Sequence, residues 1–265
     1  MPAMRITFLG TGTSHGVPQI GCDCAVCRST DPRNLRLRAS ILVEDAGTTV
    51  MVDATPDVRT QVLRAGVRRL DAVLLTHAHA DHMLGLDDLR TFTCETPLPV
   101  WGSAETLTDV QRIFPYACTE KPRYPGVPRF ALQPIADGAQ IRVGSLACRT
   151  VTVMHKDMPV FGYIFNGTVA YVTDCNHVPP AALAALRGVT VLVLDGLRHR
   201  PHIAHFTVAE AVAVAQQVGA PLTLLTHLCH DLDHATTEAA LPAGVRLAYD
   251  GLRLEVADGA WRVVD

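Results

Sequence analysis

No apolar run in this chain approaches the length of a membrane span. The longest stretches, such as residues 189–194, are strand-sized, whereas a spanning helix needs about 20 apolar residues. The first residues, Met1 to Arg5, lack the basic region, apolar stretch and cleavage site of a signal peptide. The expected location is the cytoplasm, with no membrane partner. Positive charge is not in excess either. The 23 Lys and Arg face 26 Asp and Glu, for a net charge of −3, which gives no general attraction to nucleic acid. There is no internal repeat, no low-complexity tract and no linker long enough to separate domains. What remains is 265 residues at 48% hydrophobic, enough for a substantial core. One α/β domain spanning residues 1–265 is expected, built as two packed sheets with helices outside.

Short apolar runs recur along the whole chain. Strands are expected at 5–9, 40–44, 49–53, 72–76, 98–101, 147–154, 163–166, 169–173, 190–195, 222–226, 246–249 and 253–256. Helices are expected at 56–65, 85–91, 104–114, 180–186 and 208–218. Thr207 with Glu210 forms a capping box for the last helix, and Pro56 suits the start of the first. The stretch 115–134 carries five prolines together with Lys121, Arg123 and Arg129. It reads as an irregular loop or insert, whose charges either solvate it or bind a second phosphate.

The most informative segment follows the apolar run 71–76. It places His77, His79, Asp81 and His82 within six residues. Uncompensated burial of polar groups is costly, and four at a strand end need a strong common partner. One metal ion or a pair supplies it. In extended chain His77 and His79 point the same way and can pinch one ion. Asp81 and His82, on the turn that follows, can reach a second.

Three further strands end in a lone residue of ligand type: His155 after 151–154, Asp174 after 169–173 and His227 after 222–226. Ligands delivered from strand ends share one rim of a sheet. The expected division gives His77, His79 and His155 to one ion and Asp81, His82 and His227 to the other, with Asp174 as the bridge. Imidazole with carboxylate tolerates either Mn²⁺ or Zn²⁺. Two such ions form a clamp for displacement at phosphorus.

Of eight cysteines, Cys22, Cys24 and Cys27 are clustered in a loop at about 21–28. In a reducing compartment such a cluster more often binds metal than forms disulfides. Three thiolates are one ligand short of a closed tetrahedral zinc site. His230, three residues after His227, is the expected fourth ligand of one structural Zn²⁺. Asp23 and Cys229 are the weaker candidates.

His77 to His82, His155, Asp174 and His227, following a Gly10-Thr11-Gly12-Thr13 turn, resemble the metallo-β-lactamase superfamily. The resemblance covers nearly the whole chain. It implies the αβ/βα sandwich, two central mixed sheets flanked by helices, with the dimetal site on one edge. It also implies a supporting role beside the ligands for Asp53. Histidine at His79 favours a hydrolase over the diiron oxidoreductases, which are similar but carry glutamate there.

The pairing of this turn with Cys22, Cys24, Cys27 and His230, and with Gly16-Val17-Pro18, resembles one branch more closely. That branch includes the phosphodiesterase of the carbon–phosphorus lyase pathway of phosphonate degradation, which acts on 5-phosphoribosyl 1,2-cyclic phosphate. Ser14 and His15 depart from its pattern. The resemblance implies a phosphate-contacting histidine before the last helix that protonates the leaving oxygen. His205 is the candidate, with His202 as runner-up and Asp195 as an orienter or a strand-end cap. The helix start beyond His205 would also suit an anion. Asp81 and His205 are thus the catalytic candidates.

The expected function is a metal-dependent phosphodiesterase of small cyclic phosphate esters, with a small phosphodiester as partner and a homodimer allowed by the resemblance. Nucleic acid is disfavoured as substrate, because the basic arm of tRNA 3′-end nucleases has no counterpart here. That nuclease activity and lactone or thioester hydrolysis are the alternatives.

Overall fold

A computed structural model describes residues 3–119 and 126–264. Within them the apolar runs assemble into two sheets. The first contains β1 (Met4–Gly10), β2 (Ser40–Asp45), β3 (Thr48–Val52), β4 (Ala72–Leu74), β5 (Leu98–Gly102) and β6 (Phe130–Pro134). The second contains β7 (Gln140–Val143), β8 (Leu146–His155), β9 (Met158–Phe165), β10 (Val169–Val172), β11 (Val191–Asp195), β12 (Leu222–Thr226) and β13 (Val245–Leu247). The chain then returns to the first sheet through β14 (Arg253–Ala257) and β15 (Ala260–Val264). The strand orders are β15-β14-β1-β2-β3-β4-β5-β6 and β13-β12-β11-β10-β9-β8-β7. Both sheets are mixed, with parallel pairing from β3 to β6 and from β10 to β13.

The inner faces meet in a core that includes Ile6, Phe8, Val43, Val52, Leu74, Tyr163, Tyr171, Val193 and Leu224. Burial on both faces explains why β10, β11 and β12 read as continuous apolar runs rather than alternating ones. The helices α1 (Val58–Ala65) and α3 (Ala104–Ile113) cover the outside of the first sheet through Val58, Leu107 and Val110. The helices α4 (Pro180–Leu186) and α5 (Val208–Val218) cover the second through Leu186, Val208, Ala211 and Ala215. This is the expected two-sheet sandwich flanked by helices.

Several local expectations are corrected. The helix expected from Pro56 begins at Val58, with Asp57 as N-cap. Residues 84–93 form a long 3-10 helix rather than an α-helix. Asp81 and His82 lie on the one-turn helix α2 (Ala80–Met83), not on an open turn. The supposed insert 115–134 ends in strand β6, which pairs with β5 from Phe130 to Pro134. Proline survives there because β6 is the sheet's edge. Strands β7 and β15 and the helix α6 (His234–Ala240) had no expected counterpart.

One glycine in the 3-10 helix sets how closely it packs. A Cβ on Gly85 would stand 1.9 Å from the Thr55 carbonyl oxygen. Gly85→Ala is therefore expected to cost about 3 kcal/mol, the upper range for overpacking. Chemical denaturation of the two proteins reads this directly; an unchanged midpoint would refute the close fit.

Candidate metal centre

The parallel strands deliver their C-terminal ends to one edge of the sandwich. Val52 of β3 pairs in register with Leu74 of β4, so Asp53 and the 75–82 segment leave the sheet side by side. Val172 pairs with Leu194 and Asp195 with Thr226, which brings Asp174, Asp195 and His227 to the same rim. His155 closes β8 nearby. Asp53, Asp174 and His227 all have positive φ, at 62°, 50° and 59°. This left-handed turn, costly for a residue with a Cβ, redirects each side chain at its strand end. Such strained positions concentrate at functional sites.

The expected ligand residues converge in two groups. The ligand atoms of His77, His79 and His155 lie within 4.8 Å of one another, as do those of Asp81, His82, Asp174 and His227. Asp174 also falls within that distance of His155 and His205, so its carboxylate stands between the groups. Among these residues His79 is exposed, whereas His77, His82, Asp174 and His227 are buried.

The hydrogen bonding prepares one nitrogen of three of the rings. His77 Nδ1 donates to Thr76 Oγ1 at 2.9 Å, and that hydroxyl donates to Asp53 Oδ2. His82 Nδ1 donates to Asp53 Oδ2 at 2.7 Å. His155 Nδ1 donates to the Ala204 carbonyl at 2.9 Å. Each donation leaves Nε2 as the free nitrogen; those of His77 and His82, and both ring nitrogens of His227, are buried without a hydrogen-bond partner. His82 Nε2 is 3.3 Å from Asp81 and Asp174 oxygens, near but not aligned. Buried polar atoms are normally satisfied. An orphaned set of imidazole nitrogens facing two carboxylates is the donor set of a divalent metal site, so the residues fit the ions.

Charge follows the same logic. Burial, with the neighbouring His82, lowers the basicity of His77, and burial also lowers that of His155. Both rings then present lone pairs. Burial alone would raise the Asp174 carboxyl, but His227 and His82 hold it well below the usual range. Burial would lower His82, yet the Asp174 and Asp53 carboxylates override it and raise it. A metal entering that group must displace this proton, which makes its binding pH-dependent.

Beside these groups lies a second arrangement. His205 Nδ1 is 2.7 Å from Asp195 Oδ2, and that oxygen also accepts from the Cys175 N–H. The His205 ring centre lies 4.6 Å from His155 and 4.7 Å from His227. His202 sits 5.0 Å from His205, exposed, with its Nδ1 accepting from the Ala204 N–H. The expected anion site at the start of α5 is largely taken up. The Thr207 and Glu210 N–H groups are taken by their own capping box, and the Val208 N–H donates to the Arg198 carbonyl. The Glu210 carboxylate at that end further repels an anion.

Distant in sequence, the loop around residue 24 meets the same turn that carries His227. Cys22, Cys24, Cys27 and His230 come together with all four ligand atoms within 4.8 Å. His230 Nδ1 is 3.2, 3.5 and 3.6 Å from the three sulfurs. A zinc tetrahedron with ordinary bond lengths has S···N edges of about 3.5 Å, so this group fits a zinc ion. The Cys27 N–H draws the Cys24 thiol down to about 6, while burial pushes Cys27 up to about 11. Asp23 instead pairs with Arg28, and the buried Cys229 sulfur accepts from the Asp231 N–H.

The basic-loop expectation changes. Arg129 donates to the Thr93 and Cys94 carbonyls and so acts as a loop tie. Lys121 and Arg123 lie outside the described residues. His15 and Ser14 are exposed, and the Ser14 carbonyl accepts from Arg38. Sequence reasoning missed Thr76, which joins Asp53 to His77, because a threonine before a histidine carries no signal. It also missed the Ala204 carbonyl, which no side-chain pattern can reveal. Among the described residues no helix is long and apolar enough to cross a membrane.

The chain is 40% identical to a solved structure described as a new diphosphatase from the PhnP family. That match covers 96% of this chain and 97% of the other, with a TM-score of 0.89. It is 37% identical over 265 residues to an octanoyltransferase of Porphyromonas gingivalis, covering 99% of this chain and 54% of that protein. It is 30% identical over 187 residues to a ribonuclease Z of Bradyrhizobium diazoefficiens, covering 68% of this chain and 54% of that protein. The chain thus spans about half the length of these two curated relatives. A family model described as the beta-lactamase superfamily domain matches residues 48–228, the stretch that carries every residue of the two His/Asp groups. The chain belongs to the β-lactamase superfamily.

Proposed function

We propose that this chain is a dinuclear metal-dependent phosphodiesterase that hydrolyses small cyclic phosphate esters, of the phosphoribosyl 1,2-cyclic or 2′,3′-cyclic nucleotide type. The observation that carries the reading is the placement of the His205–Asp195 pair against both His/Asp groups. A metal clamp alone suits many hydrolyses; a clamp with an oriented imidazole beside it suits expulsion of an alkoxide. His77, His79 and His155 would hold one ion, Asp81, His82 and His227 the other, and Asp174 would touch both. When bound, two such ions supply Lewis acidity to phosphoryl oxygens and make water acidic enough to attack near neutral pH.

The chain's own residues do the rest. Asp53 and Thr76 fix the rings of His82 and His77 through their Nδ1 atoms, the outer hydrogen bonds that orient ligands. Asp81, ionised and facing both His82 and His227, keeps negative charge at the second group. Asp195 accepts a hydrogen bond from His205 Nδ1 and holds the ring so that, when doubly protonated, its second N–H, on Nε2, is left for the site. That nitrogen passes a proton to the departing oxygen, a task matched to imidazole near neutrality.

Cys22, Cys24, Cys27 and His230 are read as a closed structural zinc site that takes no part in the chemistry. Cys24→Ser is expected to lose about one zinc per chain and to lower the melting temperature. Turnover at saturating catalytic metal should stay within a few fold. Metal analysis with calorimetry checks it, and loss of turnover with stability intact would sink the structural role.

The resemblance to a PhnP-family diphosphatase adds phosphoanhydrides to the substrate classes worth testing. A second reading, hydrolysis of acyl thioesters, is favoured by the relative named for octanoyl transfer, although this chain matches only about half of that protein. The deciding experiment is a hydrolysis panel on metal-reconstituted protein. It contains bis-(p-nitrophenyl) phosphate, a 2′,3′-cyclic nucleotide, a ribose 1,2-cyclic phosphate, a dinucleoside diphosphate, a lactone and an octanoyl thioester. Turnover of the cyclic phosphates is expected. Turnover of the thioester or lactone alone would overturn the proposal.

A further inference from the structure

Arg36 is one of the largest fully buried side chains, at 1% exposure. Its hydrogen bonds go to neutral oxygens rather than to a carboxylate. The guanidinium donates to the Cys229 carbonyl at 2.8 Å and the Leu232 carbonyl at 2.7 Å, with Asn34 Oδ1 at 3.0 Å and the Arg33 carbonyl at 3.3 Å. Burying an arginine without an ion pair is costly. Burial draws its pKa down to about 10, which still leaves it charged at neutral pH. A cation placed at that cost, on two carbonyls of one turn, has a task that a neutral residue cannot perform.

The turn it grips is the one between the two metal groups. His227, in the left-handed conformation, enters it from β12, and His230 lies between the two carbonyls that Arg36 holds. The flanks are tied as well. Leu228 exchanges backbone hydrogen bonds with Thr11 and Thr13, and the Cys229 N–H donates to the Leu197 carbonyl. Asn34 donates to Asp233 and accepts from the His234 N–H. Residues 34–36 therefore clamp a turn that presents one histidine to each group.

We propose that Arg36 is a positioning residue for both metal groups, and that through it zinc in the Cys22, Cys24, Cys27 and His230 group strengthens metal binding at the His227 group. The proposal rests on the metal reading given above. An ion that fixes His230 stiffens a rigidly gripped turn, and with it the approach of His227. The coupling is reciprocal, as any linkage of two binding sites must be.

The test reads metal binding rather than turnover. The full-length protein, stripped of metal, is titrated with Co²⁺. The thiolate-to-cobalt charge-transfer band reports the Cys group, and chelator competition gives the affinity of the remaining ions. Arg36→Lys keeps the charge but loses the fork that spans two carbonyls. It is expected to weaken both classes of ion about tenfold, the lower range for groups that orient metal ligands. Leu146→Ala, which thins the core at the end of β8 opposite His155, should leave both affinities unchanged. Equal losses in the two variants would reduce Arg36 to a general stabiliser and overturn the proposal.

Cys24→Ser should weaken the His/Asp groups in the parent chain but add little in the Arg36→Lys background. Full additivity would overturn the coupling. If Arg36→Lys fails to fold, Asn34→Ala loosens the same clamp with the guanidinium retained. It should lower both affinities in the same direction, and parental affinities there would overturn the proposal. Absence of the charge-transfer band in the parent chain would instead remove the metal reading, and this proposal with it.

Discussion

Replacing Asp174 with alanine is expected to abolish turnover and to lower the metal content of the His/Asp groups from two ions to one or none. Its carboxylate stands within ligand distance of both groups, and no other described residue does so with an anionic oxygen buried between them. Its oxygens lie 3.3 Å from His82 Nε2 and 3.4 Å from His227 Nε2, longer than the 2.7 Å hydrogen bond from His82 Nδ1 to Asp53 and close to the edge of about 3.3 Å between two ligands of one ion. Two ions held side by side repel each other, and an anion between them offsets that repulsion. Losing the clamp removes several kcal/mol of transition-state stabilisation, which is at least about 10³-fold in rate. Metal analysis on the purified variant, alongside the cyclic phosphate assay, gives both numbers. Retained turnover with two ions bound would refute the bridge.

The second large effect falls on His205. His205→Ala is expected to slow cyclic phosphate hydrolysis by about 10²–10⁴-fold, the usual worth of a positioned proton donor. The loss should be selective. An alkoxide leaving group needs the proton; a nitrophenolate, stable as an anion, needs it far less. Bis-(p-nitrophenyl) phosphate turnover should therefore fall much less than that of the ribose ester. Asp195→Asn should share the pattern at smaller size, because its carboxylate accepts the Nδ1–H of the doubly protonated ring while Nε2 gives up its proton. Equal losses on both substrates would leave His205 as a binding group and remove it from proton transfer.

The ligand residues were legible because strand ends in parallel sheets mark themselves. An apolar run that stops at a single His or Asp is easily seen, and His155, Asp174 and His227 follow from that rule, while His79, Asp81 and His82 were read from the cluster that begins at His77. The cysteine cluster was legible for a different reason: its members are close in sequence, and only His230 had to be brought from afar. What stayed hidden depended on contacts between distant backbone segments. Strand β6 looked like a piece of a proline-rich insert because its edge position, which tolerates proline, is a property of the sheet. Arg36 sits in a polar stretch and reads as an ordinary surface arginine. Only the arrival of the 229–232 carbonyls buries it. The start of α5 looked like an anion site because the capping box was read as a helix signal alone. Those hydrogen bonds take up the Thr207 and Glu210 N–H groups that an anion would use.

The left-handed backbone at Asp53, Asp174 and His227 has a consequence for the lifetime of the folded chain. Each such residue costs on the order of 1–2 kcal/mol, and the three carry their side chains into a crowded, charged rim. A chain stripped of metal bears that load without the binding free energy of the ions to offset it. Ions bound only by the folded form shift the folding equilibrium in its favour, so chelation should lower the unfolding temperature even where no assay for turnover exists. Glycine at position 174 would ease the metal-free chain and erase the site in one change. In a cell short of metal, such a protein would be lost to unfolding and proteolysis before it was merely idle, and its abundance would track metal supply.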